Sequence, residues 1–196
     1  MKRLLIFATL VEAKATIEAL NAFPAGDLYA FENGLIAICG IGIHQAQACT
    51  SRYAQECDEV WNLGFAGALS SLPMHEIVSI SKVGKYVPII DLDPHSKEMM
   101  LNTLPTFELG GSVPLISSDF PIHSKIHRPE NFALVDMEGY GIAFAANALQ
   151  KPLRMWKIVS DFASPEGIAL IKKHKTQLSQ LLAQKVLDGI VKFSPL

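Results

Sequence analysis

Short, nearly continuous apolar runs rich in Val, Ile and Phe alternate along the chain with stretches in which apolar residues recur every three to four positions. The continuous runs are how strands buried on both faces of a sheet read, and the wider spacing is that of helices with one buried side. The pattern predicts strands at Arg3–Thr9, Leu35–Cys39, Glu59–Leu63, Glu76–Lys82, Val113–Ser117, Phe132–Val135 and Met155–Val159. It predicts helices over Val11–Asn21, Ile43–Glu56, Glu138–Leu149 and Gly167–Val191. Alternation of this kind argues for an α/β fold: one three-layer α/β/α domain over residues 1–196, with a central mixed, largely parallel sheet. Gly84 to Pro105, with Pro88, Pro94 and Pro105, has no period and reads as an irregular excursion, a lid or a subunit contact. Asp119 to Pro129 reads as a loop.

Composition narrows the class of partner. Hydrophobic residues make up 49% of the 196 positions, enough for a sizeable core. Seventeen basic residues nearly balance nineteen acidic ones, for a formal charge of -2, which is no electrostatic footprint for nucleic acid or an anionic membrane. A small, polar, mostly uncharged ligand is the expected partner. Cys39, Cys49 and Cys57 are odd in number and lack a C-x-x-C pair, which fits idle thiols in a reducing cytoplasm. The start MKRLLIFATL resembles a signal peptide only until Glu12 and Lys14 interrupt it, so it reads as a first strand. No apolar run approaches the ~20 residues of a membrane-spanning helix.

Several familiar motifs are incomplete. CGIGIHQAQA at 39–48 lacks the third glycine of G-x-G-x-x-G, and NLGFAGAL at 62–69 lacks the G-K-[ST] of a phosphate loop, so both read as tight strand-to-helix turns. His123 and His127 have helical spacing, but Ser124 stands where a zincin has glutamate and Pro129 ends any helix. Asp91, Asp93 and His95 lack a fourth ligand nearby. Neither group predicts a metal, and no cofactor is expected. No serine lies in a G-x-S-x-G elbow.

The acids are the stronger candidates. VDMEG at 135–139 and VSDFAS at 159–164 each place a carboxylate beside a strand end, and Glu12 follows the first strand. Singly, each reads as a helix cap or a favourable charge at a helix start. Together, after three separate strands, they can converge on the crevice outside the carboxyl ends of an α/β sheet.

These residues carry a family resemblance. VDMEG followed by IAFAA, KIVSDFAS, NLGFAGAL and the strand ending before Glu12 resemble, in that order, the purine nucleoside phosphorylase and nucleosidase superfamily. Within it the match is nearest to methylthioadenosine/S-adenosylhomocysteine nucleosidases and futalosine hydrolases. The resemblance implies that Glu138 holds the ribose hydroxyls, Met137 packs on the sugar and Glu12 activates a water. It implies that Asp161, positioned by Ser160, protonates the leaving purine. Phe120 or Pro121 would cover the base and the Ile122 N–H would hydrogen-bond it, and Phe65, Ala66 and Gly67 would line the turn. Lys157 replaces an arginine that helps hold the water.

Phosphorylases of this superfamily hold phosphate with arginines, one of them where this chain has Asn62, so the resemblance favours hydrolysis. The compact length and the G-F-A-G-A turn resemble futalosine hydrolases, which act in menaquinone biosynthesis. That implies release of hypoxanthine or adenine from futalosine or aminodeoxyfutalosine, with Lys85 or His95 near a carboxylate at the 5′ end. The alternatives are a methylthioadenosine/S-adenosylhomocysteine nucleosidase and a purine-binding protein without catalysis, the latter motivated by Phe65, Lys157 and the altered base segment SSDFPIH at 117–123. The family also implies a homodimer, with Tyr86 to Pro94 closing the pocket of a neighbour.

Overall fold

The first strand explains why its apolar run is unbroken. In the computed structural model, which describes residues 1–87, 104–122 and 131–192, β1 (Arg3–Phe7) is buried along its whole length. Leu5 and Phe7 enter one apolar cluster with Trp61, Leu63, Trp156 and Leu178, while Leu4 and Ile6 enter another with Ala46, Val60, Ile142 and Ala146. Successive side chains point to opposite faces of a strand, so a strand covered on both faces can have no polar alternation.

The remaining elements are α1 (Leu10–Ala19), β2 (Phe23–Ala25), β3 (Leu28–Phe31), β4 (Gly34–Ile38), α2 (Ile43–Tyr53), β5 (Glu59–Ala68) and β6 (Ile77–Lys85). They are followed by β7 (Phe107–Glu108), β8 (Val113–Ser117), β9 (Leu134–Asp136), α3 (Gly139–Ala148), β10 (Leu153–Asp161) and α4 (Gly167–Lys192). Helices α1 and α4 pack together on one side of the sheet and α2 and α3 on the other, giving the three layers expected.

Strand β5 is the hub. It runs parallel to β1 over Glu59–Asn62 and parallel to β10 over Val60–Gly67, and it meets β9 antiparallel through Gly67 and Ala68. From β10 the pairing continues antiparallel to β6, then parallel to β8 and β9. The strands β5, β10, β6, β8 and β9 therefore close on themselves, while β1, β4, β3 and β2 extend the sheet on the other side.

Three features differ from the pattern-based expectation. β5 runs on to Ala68, so all of NLGFAGAL but its last residue is strand rather than the strand-to-helix turn its glycines suggest. The hairpin β2–β3 is absent from the pattern because Pro24 demotes a three-residue edge strand. β7 is only two residues long and pairs with β6. Of the irregular excursion, His95 and most of Tyr86 to Pro94 lie outside the described residues, as do His123 and His127.

Candidate active site

A cavity of about 570 Å³ opens where the C-terminal ends of β5 and β10 meet β9, walled by the start of α1, the first turns of α4 and the segment Phe120–Ile122. Glu12, Glu138 and Asp161 all line it, together with Met137, Phe120, Ile122, Ser160, Phe65, Ala66 and Gly67. Lys157 does not reach the cavity wall; it lies fully buried behind it.

Glu12 owes its place to helix capping. It is the third residue of α1, and its Oε2 accepts from the Thr9 backbone N–H at 2.8 Å while the Thr9 hydroxyl accepts the Glu12 N–H, a reciprocal capping box. Its other oxygen, Oε1, accepts from the Phe65 N–H at 2.9 Å. Phe65 thus contributes to the site through its backbone N–H. Burial pushes the Glu12 carboxyl up from its ordinary range, and the Phe65 N–H and the Lys157 charge only partly offset it. Gly64 leaves the room for this carboxylate: a Cβ there would lie 3.0 Å from Glu12 Oε1 and 3.4 Å from Lys157 Nζ.

Glu138 sits at the N-cap of α3 but does not cap it with its side chain. Asp136 and Ser117 do that work: Asp136 Oδ2 accepts from the Gly139 N–H at 2.9 Å, and Ser117 Oγ accepts from the Tyr140 N–H at 2.8 Å and donates to Asp136 Oδ1. Glu138 is left to face the cavity and accepts the Gly42 N–H at 2.9 Å through Oε1. Its carboxyl is pushed up to about 7, by burial first and then by the neighbouring Asp136 charge.

Lys157 Nζ lies 2.8 Å from Asp136 Oδ2, with both side chains 1% exposed. Burial presses the ammonium toward neutrality, but Asp136, Glu138 and Glu12 outweigh it, so its net shift is upward and it stays charged. Lys157 is a cation spent on carboxylates behind the cavity. Sequence reasoning missed Asp136 although it stands inside VDMEG; its adjacency to a buried lysine two strands away has no local signature.

Asp161 ends β10, with Oδ1 accepting the Ala163 N–H at 2.7 Å and Oδ2 facing the Ser160 hydroxyl at 2.8 Å. Ala163 reaches it at a φ of +48°, a left-handed conformation unfavourable for a residue with a Cβ. Ser160 Oγ has a second acceptor, the Ala66 carbonyl at 3.2 Å, but only one hydroxyl hydrogen. Donating to Asp161 suits the carboxylate. Turning to Ala66 leaves a lone pair that can accept from a protonated Asp161, so the acid can change charge without moving. Gly67 leaves the space beside it, since a Cβ there would lie 3.0 Å from Asp161 Oδ1.

Phe120 N–H is taken by Ser118 Oγ at 3.3 Å, whereas Ile122 lines the cavity with a backbone N–H that has no partner among the described residues. Asn62 is buried within the sheet and donates to the Ile6 carbonyl at 3.1 Å. No arginine lines the cavity among the described residues. Lys85, 3.0 Å from Asp119, does not line it either. The cations that do are Lys172 and Lys175 on α4, two lysines to which sequence reasoning assigned nothing. No group of three or more potential metal ligands occurs among the described residues, and no helix among them is long and apolar enough to cross a membrane.

No family model and no curated protein matches the chain. Solved structures do. The Chlamydia trachomatis protein CT263 (MTAN), as an Asp-to-Asn variant bound to MTA, superposes with a TM-score of 0.81 at 27% identity, covering 99% of this chain and all of that one. The same Chlamydia protein bound to adenine gives 0.80 at 27% identity, with 99% and 100% covered. The Helicobacter pylori MTAN with 5′-methylthioadenosine in its active site gives 0.81 at 18% identity, with 97% and 98% covered, and at that identity shows the shared fold. The chain has the architecture of the nucleoside phosphorylase and nucleosidase superfamily and resembles its methylthioadenosine/S-adenosylhomocysteine nucleosidases from the first strand to the last helix.

Proposed function

We propose that this protein is a purine nucleoside N-ribosyl hydrolase, and that it acts on futalosine or aminodeoxyfutalosine in menaquinone biosynthesis. The observation that carries the hydrolase reading is the convergence of Glu12, Glu138 and Asp161 on one cavity that no arginine lines among the described residues. Breaking an N-ribosidic bond leaves a cation-like sugar and a purine that departs as an anion unless it is protonated. Asp161 supplies that proton to N7 of the base, Glu12 takes a proton from the attacking water, and Glu138 accepts hydrogen bonds from the ribose hydroxyls. A carboxyl raised by burial, as Glu12 is, makes a stronger base than one in water.

Methylthioadenosine or S-adenosylhomocysteine as substrate is the second reading, favoured by the names of the structural neighbours and by the MTA and adenine bound to the Chlamydia protein. Both readings put a purine in the same site; they differ at the 5′ end, and futalosine also carries hypoxanthine in place of adenine. A homodimer in which the partner closes the cavity belongs to this proposal too, and light scattering checks it.

The test is release of free base from futalosine, aminodeoxyfutalosine, methylthioadenosine and S-adenosylhomocysteine, with and without phosphate. We expect release without phosphate. Asp161→Asn and Glu12→Gln are each expected to lower kcat by at least about 100-fold while the far-UV spectrum is unchanged. A strict phosphate requirement overturns the hydrolase, and full activity in either variant overturns the roles.

A further inference from the structure

The wall of the cavity formed by α4 has a graded chemistry. Ile168, Ile171, Lys172 and Lys175 all line the cavity, a spacing of three, four and seven that places them on one face of the helix. Lys173, between them in sequence, does not line it. The side chains of Lys172 and Lys175 make no ion pair or hydrogen bond among the described residues. We propose that these two lysines form a cationic subsite at the cavity rim that holds the anionic end of the substrate's 5′ substituent, with Ile168 and Ile171 along its apolar spacer. The proposal rests on the nucleosidase reading and names the residues that select its substrate at the 5′ end.

Charge supplies the first argument. The floor of the site holds Glu12, Glu138, Asp161 and Asp136, against the single buried cation Lys157. Asp136 is already paired with Lys157, and whichever of the other three carboxyls is ionised repels an entering anion unless cations meet it at the rim.

Distance supplies the second. Gly167 begins α4 against Asp161: a Cβ on it would lie 2.8 Å from Asp161 Oδ1. Lys175 is eight residues further along, roughly 12 Å at the rise of an α-helix. Ile168 and Ile171 fill the interval. Lys172, five residues along, lies roughly 7.5 Å from the same start, so the pair suits an anion carried past Ile168 and Ile171 on a hydrophobic tail better than a phosphate directly on the ribose 5′ carbon.

The experiment compares kcat/KM for three nucleosides: methylthioadenosine, with a neutral tail; futalosine, whose 5′ substituent ends in a carboxylate; and adenosine 5′-phosphate. The wild type is expected to prefer futalosine over both. In Lys172→Ala/Lys175→Ala the ratio of futalosine to methylthioadenosine is expected to fall about 10-fold, the effect of two solvent-exposed ion pairs, and the wild-type ratio to shrink as salt is raised. Lys173→Ala, one residue away and off the cavity face, controls for general loss of surface charge and should leave the ratio unchanged. Base release with an unchanged ratio in the double variant, or preference for the 5′-phosphate, overturns the subsite while leaving the hydrolase reading intact. No base release from any nucleoside overturns the hydrolase and the subsite together.

Discussion

Asp136 and Lys157 show how residues outside the cavity set the chemistry inside it. The ion pair is buried on both sides, and Asp136 also holds the first N–H of α3. Its charge is one reason the Glu138 carboxyl is pushed up to about 7. If ribose binding needs ionised Glu138, kcat/KM should fall as pH drops below about 7. Asp136→Asn removes the repelling charge and leaves Lys157 to favour ionised Glu138, so the acid limb of the profile should move to lower pH; an unmoved limb rejects this coupling. The same variant strands a buried ammonium and should cost about 3–5 kcal/mol of stability, read in a urea titration. The raised Glu138 group also affects folding. A carboxyl with a folded pKa above its unfolded value holds a proton that the unfolded chain has released, so its contribution to stability is lost as pH rises from the ordinary range near 4.5 toward about 7. Glu138→Gln should flatten that slope in melts collected across the window.

At this scale the acids were legible in sequence and their environment was not. Glu12, Glu138 and Asp161 could be picked out because each stands at or just after the end of a strand. That Glu12 is held by the N–H of Phe65, or that Lys157 faces Asp136 rather than the cavity, depends on pairings between strands distant in the chain.

Among the elements, the contact of α2 with α3 places the ribose-binding candidate. Gly141 lies against the first residue of α2, where a Cβ would approach the Ile43 carbonyl oxygen to 2.1 Å. The close approach brings Gly42, at a φ of +113° that suits glycine, near enough for its N–H to reach Glu138. Gly141→Ala must push the helices apart; a loss of about 1–3 kcal/mol and a rise in KM larger than the fall in kcat are expected from melts and steady-state kinetics. Equal KM in the variant rejects the link from packing to Glu138.

The long periodic helices and fully buried strands were predictable because one period ran through each. The hairpin β2–β3 and the outer half of β5 escaped for opposite reasons. The hairpin is too short and contains Pro24, while β5 carries glycines that look like a turn and instead make room for acids.

For the molecule as a whole, the closed set of strands around β5 was not predictable, since a pattern of strands says which faces are buried but not which edges meet. The proposed ligand and the fold are linked through that closure: a purine held in the cavity where β5, β9 and β10 meet would bind only the assembled structure. Adenine at about 100 times its dissociation constant should stabilise the protein by about 2.7 kcal/mol, raising Tm by roughly 5–10 °C for a chain of this size. Absence of any shift with adenine and hypoxanthine rejects a purine site in the free protein.

The order in which the strands are laid down has its own consequence during synthesis. β1, the Glu12 helix and all of β5 leave the ribosome first, but Asp136 and Glu138 come much later and Lys157 and Asp161 arrive on the last strand. A nascent chain stopped before β10 holds Glu12 and its Phe65 donor without the cation behind it and without Asp161, the acid proposed to protonate the base. Translation therefore delivers the cation that pairs with Asp136 and the last of the three cavity acids in one and the same segment.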